Sequence, residues 1–87
     1  MDINQLKAIA EQIDLTSYVF KYPKSHSLGQ LSRFRQRLLT ESPTESIEIL
    51  TRRLSGRLYN FANLTPYVTD DKDKEKFNNL LQKLKDS

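Results

Sequence analysis

The sequence predicts an all-α protein, a small antiparallel four-helix bundle that forms a single domain over residues 1–87. Three observations support this prediction. Apolar residues recur at helical spacing in four separate segments. A residue type that caps helices precedes each of these segments. No segment has the two-residue period of a strand, and amphipathic helices joined by short connections pack most simply as a bundle.

The first predicted helix begins at the amino terminus. Asp2 and Gln5 have the spacing of a capping pair, which places the helix start directly after Asp2. We predict that this helix extends to about Phe20, because Pro23 excludes Tyr22 from the helical conformation. Its apolar stripe consists of Ile3, Leu6, Ile9, Ala10 and Ile13.

The second predicted helix follows the Pro23 break. Ser27 and Gln30 repeat the capping spacing, so the helix is predicted to start after Ser27 and to run to about Thr40. One face of this helix is apolar. The residues of that face are Leu28, Leu31, Phe34, Leu38 and Leu39.

Two further helices complete the prediction. Segment 42–45 combines a capping Ser, a Pro at the first helical position and a Glu at the third, so the third helix is predicted to begin at Pro43 and to end before Pro66. Its stripe is Ile47, Leu50, Leu54, Leu58 and Phe61. The acidic segment 69–71 favours the positive end of a helix dipole, so the fourth helix is predicted to begin there and to continue to the chain end. Its stripe is Phe77, Leu80, Leu81 and Leu84.

The composition excludes several classes of chemistry. The chain has no Cys and one His, which excludes disulfides, Cys-based zinc sites and a thiol nucleophile. His26 lies between Ser25 and Ser27, but neighbours in sequence do not form a catalytic triad without an orienting acid. We therefore expect no enzymatic activity, no cofactor and no metal. Apolar runs are too short for a membrane span or a signal peptide, so we expect a cytoplasmic protein.

The basic residues are concentrated in the middle of the chain. Residues 15–59 carry eight basic and three acidic side chains, and they include all six Arg of the protein. Residues 60–87 are balanced and use only Lys as the basic residue. Because the guanidinium fork matches phosphate better than an ammonium does, the central zone indicates a phosphate-binding surface.

Two Arg residues of the second helix lie nearly opposite its apolar stripe. These are Arg33 and Arg37, four positions apart, whereas Arg35 lies at the edge of the stripe. The stem of Arg35 is therefore expected to pack while its guanidinium reaches solvent. Residues 15–40 contain no Asp or Glu, so this helix has no acidic partner for its Arg side chains at helical spacing.

The third helix carries a second set. Arg53 and Arg57 flank its stripe and Arg52 points away from it. Glu48 lies one turn before Arg52, which is the ordinary arrangement of a solvated surface. Two interpretations therefore stay open: a ligand-binding surface, and cations that act only in solubility.

An aromatic segment interrupts the basic zone. Phe20, Lys21, Tyr22, Pro23 and Lys24 alternate rings with cations, which is the composition of a surface that stacks single-stranded bases. Rings at a helix end beside a Pro are also typical of a lid over a core. Both interpretations remain open from the sequence.

Once the helices and their Arg residues are placed, the chain resembles the small helical subunit of type I CRISPR interference (Cascade) complexes. The resemblance covers segment 25–28, Phe34 and segment 38–39, then a Pro-capped helix that ends in segment 58–62, and a Lys-rich turn that leads to Phe77. It implies a non-catalytic bundle in antiviral defence whose basic faces contact the displaced DNA strand and the guide–target duplex.

The chain also resembles the immunity proteins of pediocin-like bacteriocins, which are small and often basic four-helix bundles. Segment 46–54 followed by Leu58 and Tyr59 is similar to their third-helix pattern. The aromatic run before Pro23 departs from that family. This resemblance implies a function exerted through contacts with a membrane-associated protein.

We therefore predict a non-catalytic helical subunit of a ribonucleoprotein complex that holds the backbone of DNA or RNA. The alternative is an immunity or inhibitor protein that acts through protein contacts. The predicted nucleic-acid-binding residues are Arg33, Arg37, Arg52, Arg53, Arg57, Lys21 and Lys24. The expected partners are nucleic acid and other protein subunits.

Overall fold

The computed structural model describes residues 1–86 and contains only α-helices as regular structure within that range. The all-α class is therefore confirmed, but five helices replace the four predicted. They are α1 (Ile3–Glu11), α2 (Thr16–Lys21), α3 (His26–Thr40), α4 (Ile47–Asn63) and α5 (Asp71–Lys85).

The first predicted helix is wrong in its length, because the chain breaks between α1 and α2. Ile13 and Leu15 lie in this break, and both are buried, at 0% and 6% exposure. Residues two apart on one helix point roughly 200° away from each other, so a continuous helix would bury only one of them. The Thr16 N–H donates to Asp14 Oδ1 over 3.1 Å at the start of α2. The break thus adds a second apolar side chain to the core.

The start of α3 also differs from the prediction. Ser25, and not Ser27, is the N-cap: its hydroxyl accepts the Leu28 N–H at 3.3 Å, and the helix begins at His26. Ser27 lies in the first turn, with its hydroxyl 3.4 Å from that of Ser25. Ser25 and Ser27 are both suitable N-cap residues, and the Ser25 hydroxyl is the one that accepts a free backbone N–H of the first turn.

The start of α4 is displaced in the other direction. Ser46 caps this helix by accepting the Ile49 N–H at 3.3 Å, so Ser42 is not the cap and Pro43 lies in the connecting loop. The later start leaves Glu45 outside the helix. From the loop its carboxylate turns back toward α3, where it contacts Arg37.

One apolar core holds the helices together. Helix α3 packs on α4, α4 on α5, and α1 on both α3 and α5, while α2 packs on α3. Except for Leu15, Ala62 and Val68, every buried apolar residue belongs to a predicted stripe. The core consists of Leu6, Ile9, Ala10, Ile13, Leu15, Leu28, Leu31, Phe34, Leu38, Leu50, Leu54, Leu58, Phe61, Ala62, Val68, Phe77, Leu80 and Leu84.

The capping pair predicted at α1 is confirmed, and the N-cap of α5 is Asp70, which lies within the predicted segment 69–71. Asp2 and Gln5 form a reciprocal capping box at α1, and Asp70 accepts the Lys72 N–H at 2.8 Å at α5. Within the described range 1–86, every helix falls short of the length and apolarity that crossing a bilayer requires.

Candidate nucleic-acid interface

The contact between α3 and α4 brings two predicted Arg residues onto one carboxylate. Arg37 donates to Glu45 Oε1, and the Arg53 Nη1 atom lies 3.8 Å from the same oxygen. Arg37 Nε is also 3.7 Å from a carboxylate oxygen of Glu41. The α3–α4 seam consists of Arg37, Glu45, Arg53 and the neighbouring Arg57. The expectation that α3 has no acidic partner at helical spacing is wrong for Arg37, because Glu41, just beyond the last helical residue, lies four positions after it. The seam still holds more cations than carboxylates.

Glu45 is the residue that organises the seam. The hydrogen bond from Arg37 lowers the pKa of Glu45 below its usual value, and the backbone N–H of Glu45 and the charge of Arg53 act in the same direction. Its second oxygen, Oε2, is buried and accepts no hydrogen bond. Glu45 is therefore ionised at neutral pH and offsets part of the positive charge of Arg37 and Arg53.

Arg57 completes the seam in a different way. Its guanidinium carbon lies 4.9 Å from the centre of the Phe34 ring, which is the geometry of a cation–π contact. Its Nε–H is buried and has no acceptor among residues 1–86. An aromatic ring orients the cation without removing its charge, so Arg57 keeps a full positive charge at the junction of the two helices.

A second cationic region, the α2–α3 corner, lies where α2 meets α3. It consists of Lys21, Lys24 and Arg33. Arg33 is exposed, and its guanidinium folds back over Gly29, with Nη1 3.6 Å from the position that a side chain at Gly29 would occupy. Lys21 Nζ lies 5.6 Å from the centre of the Tyr22 ring. Within residues 1–86, no carboxylate forms an ion pair with these three cations.

Arg35 serves the fold rather than the surface. Its Nε donates to the carbonyl oxygen of Ala10 over 2.8 Å, and its Nη2 donates to that of Glu11 over 3.4 Å. These carbonyls lie at the carboxyl end of α1, where a cation also meets the negative end of the helix dipole. The break after α1 thus creates acceptors for the Arg35 guanidinium that the sequence pattern did not reveal.

Arg52 is separated from the other predicted Arg residues. It borders a groove of about 850 Å³ between α4 and α5, on a different side of α4 from Arg53 and Arg57. The groove is lined by apolar side chains that include Ile47, Tyr59 and Leu81, and it is open at Gly56, where nothing lies within 4 Å of an added methyl position. Of the predicted nucleic-acid-binding residues, Arg52 is therefore the one that lies apart from both the seam and the corner.

The aromatic segment divides as well. The Tyr18 ring packs edge-on against Phe61 with centres 5.2 Å apart, and its hydroxyl donates to Asp73. Tyr22 packs on Tyr67 at 4.7 Å. Phe20 instead points to solvent and is 85% exposed. The lid interpretation therefore applies to the two Tyr residues and not to Phe20.

His26 is exposed and its Nε2 atom lies 3.0 Å from the Gln30 amide nitrogen. In the part of the chain that the structure describes, no three His, Cys, Asp or Glu side chains converge as metal ligands.

Comparison of the chain with protein-family models, with curated proteins and with solved structures finds no match.

Proposed function

We propose that the protein binds the sugar–phosphate backbone of nucleic acid without reading bases, as a non-catalytic subunit of a cytoplasmic ribonucleoprotein complex. One observation carries the proposal: a cationic surface runs from the α2–α3 corner across the outer face of α3 to the α3–α4 seam. Among residues 1–86, only Glu41 and Glu45 form ion pairs with its cations. Its members are Lys21, Lys24, Arg33, Arg37, Arg53 and Arg57.

The two parts of the surface support binding in different ways. Arg33 and the corner lysines carry charge that no carboxylate offsets, so they attract phosphates and release condensed counterions on contact. In the seam, Glu45 and Phe34 hold guanidinium groups in fixed positions before any ligand arrives. Ordered guanidinium forks lose less side-chain entropy on binding than mobile ones do. None of these contacts selects a base.

The proposal is tested by the salt dependence of binding. The protein is titrated with a mixed-sequence 20-mer, and log affinity is expected to fall linearly with log salt, with a slope of about −0.7 per phosphate contacted on a single strand. Arg33→Gln combined with Arg37→Gln should reduce that slope by about one to two contacts. Circular dichroism should stay unchanged, because neither side chain belongs to the core.

A matched control removes the same charge elsewhere. Arg52→Gln combined with Lys85→Gln neutralises two cations beside the α4–α5 groove. This variant should keep the wild-type slope. If both double variants lose affinity equally, net charge explains binding and the cationic surface does not.

The second candidate is an immunity or inhibitor protein that acts through protein contacts, and the α4–α5 groove is the observation that favours it. Absence of salt-sensitive binding to single-stranded and duplex DNA and RNA at tens of micromolar protein would favour this candidate over the first. Neighbouring genes distinguish the two as well, because one function requires interference-complex genes nearby and the other a bacteriocin operon.

A further inference from the structure

The outer face of α2 presents an aromatic ring that contributes nothing to the core. Tyr18 faces inward, and Phe20, two residues later, lies roughly 200° around the helix from it. Phe20 is 85% exposed and the adjacent Val19 is 44% exposed. An apolar ring held this far into water makes no packing contribution that would account for its position.

The surroundings of Phe20 are cationic. Val19 and Ser32 wall two shallow depressions that adjoin along the contact between α2 and α3. Phe20 and Arg35 border one of them, and Arg33 borders the other. The ring thus borders the depression that adjoins the one at Arg33 of the α2–α3 corner, and both Arg residues come from α3.

Acidic groups are placed away from that corner. Asp14 borders the depression beside Phe20, but it lies at the start of α2, where the Thr16 N–H holds it. Asp73 is bonded to Tyr18 on the inner face of α2. An anionic ligand that covers Phe20 is therefore attracted toward the carboxyl end of α2, where Lys21, Lys24 and Arg33 lie.

We infer that the ligand of this surface is single-stranded, with one base stacked on the Phe20 ring and the adjacent phosphates on Arg33 and the corner lysines. The inference rests on the proposed function, since it names the kind of nucleic acid bound. In a duplex the base faces are covered by their neighbours, so a ring on a convex surface finds no face to stack on. A single strand exposes base faces beside a flexible backbone, and every base offers one.

The experiment compares three probes of equal phosphate content per strand: a mixed-sequence single-stranded DNA 20-mer, its duplex, and an abasic 20-mer that has phosphates but no bases. Wild-type protein should bind the single strand more tightly than the abasic strand. Phe20→Ala should weaken single-strand binding by about five-fold or more, the lower end of one base stack. The same variant should leave abasic and duplex binding and every salt slope unchanged.

A matched control replaces an aromatic ring outside the cationic surface. Tyr59, at the α4–α5 groove, is 49% exposed. Tyr59→Ala should bind all three probes as the wild type does. Because Phe20 and Tyr59 both lie outside the core, each variant should keep the wild-type circular dichroism spectrum.

A spectroscopic readout separates stacking from insertion into lipid. The protein has no Trp, so Phe20→Trp introduces a single fluorophore at the position in question. Its emission should be quenched by the single-stranded 20-mer and left unchanged by the abasic strand. Vesicles of phosphatidylglycerol and phosphatidylcholine should leave it unchanged too, and a blue shift with vesicles but no quenching by DNA would identify a membrane anchor and overturn the inference.

The remaining outcomes separate the inference from the proposed function. If single strand, abasic strand and duplex bind equally, and Phe20→Ala changes none of them, the stacking inference is wrong while backbone binding stands. If none of the three probes binds in a salt-dependent way, both the proposed function and the inference fail.

Discussion

The α3–α4 seam and the α2–α3 corner contain the same kind of residue in two different electrostatic states. In the seam, Arg37 and Arg53 share the carboxylate of Glu45. In the corner, Arg33 lies one helical turn before Arg37 and forms no ion pair within residues 1–86. The difference arises from two acidic residues after α3, since Glu41 and Glu45 both contact Arg37 and neither is paired with Arg33. Sequence spacing alone therefore assigns the same role to two Arg side chains that the tertiary structure treats differently.

The two regions also differ in how firmly their cations are held. Glu45 and the Phe34 ring orient the seam guanidinium groups, whereas Arg33 and Lys24 extend from exposed positions. In the proposed function the corner supplies attraction and the seam supplies orientation. Three variants test this comparison. They change the core that supports both regions, the attachment of α2, and the Glu45 carboxylate of the seam.

The largest effect is expected from the framework. Leu54 lies on α4 at the centre of the core and is 0% exposed. Leu54→Ala should destabilise the protein by about 2–5 kcal/mol, because it removes buried methyl groups and leaves a cavity. Urea denaturation followed by circular dichroism measures the loss. The exposed Leu64 is the control, and Leu64→Ala should change stability by no more than about 0.5 kcal/mol.

A loss below about 1 kcal/mol for Leu54→Ala would contradict the packing of α4 against α3, since complete burial of a Leu side chain predicts more. The seam would then lack the framework that brings its Arg residues together.

The second effect concerns the attachment of α2, which carries one side of the corner. Tyr18→Phe removes the hydrogen bond to Asp73 and should cost about 1.5–3 kcal/mol at neutral pH, the range for a hydrogen bond to a charged group. Burial raises the pKa of Tyr18 above its usual value, and the bond to Asp73 and its charge raise it further.

The sign of the pH dependence follows from this shift. A raised pKa means that the folded state favours the protonated phenol, so this contribution is complete below the unfolded pKa of 10 and is lost as the pH rises above it. The urea midpoint of the wild type should therefore fall between pH 9 and pH 11 more steeply than that of Tyr18→Phe. Tyr59→Phe, at an exposed position, should behave as the wild type does, and parallel curves for all three proteins would contradict the predicted role of Tyr18.

The smallest effect separates the seam from the corner directly. Glu45→Gln removes the charge that offsets Arg37 and Arg53, so the seam should come to resemble the corner. Affinity for a nucleic-acid 20-mer should rise, and the salt slope should become steeper by about one contact. Glu41→Gln is the control: its contact with Arg37 is 3.7 Å long and its side chain is 64% exposed, so the rise should be smaller.

Acid pH should act on the same contact. The lowered pKa of Glu45 means that its contribution to stability is present above the unfolded pKa of 4.5 and is lost as the pH falls below it. Thermal denaturation between pH 6 and pH 3 should show a shallower decline for Glu45→Gln than for the wild type. Identical declines would indicate that Arg37 and Glu45 do not interact in solution.

The stripes of the long helices were predictable because their spacing is local. Leu50, Leu54 and Leu58 recur at intervals of four, and all three are buried. The boundaries were less accessible, since Ser25 competes with Ser27, and Ser42 with Ser46, for the same kind of cap. Capping preferences act within one turn and do not decide between two candidates of the same residue type.

At the candidate site, the sequence predicted the exposure of single residues but not the contacts between residues on different elements. The exposure of Arg33 followed from its position opposite the stripe. The pairing of Arg37 with Glu45 did not, because Glu45 lies eight residues away across a loop, whereas Glu41 lies at the helical spacing of four residues. Phe20 and Tyr18 were separable only once the break before α2 was known, since that break sets which ring faces the core.

The brevity of α2 has a consequence for the stability of the surface that it carries. A six-residue helix is too short to persist by itself. Helix α2 packs on α3, and its Tyr18 contacts Phe61, Phe77 and Asp73. Its amide protons therefore exchange with solvent through local opening, at a lower free energy than global unfolding requires. In the proposed function, a bound strand that contacts both α2 and α3 would oppose this local opening. The ligand would then stabilise most strongly the region that binds it.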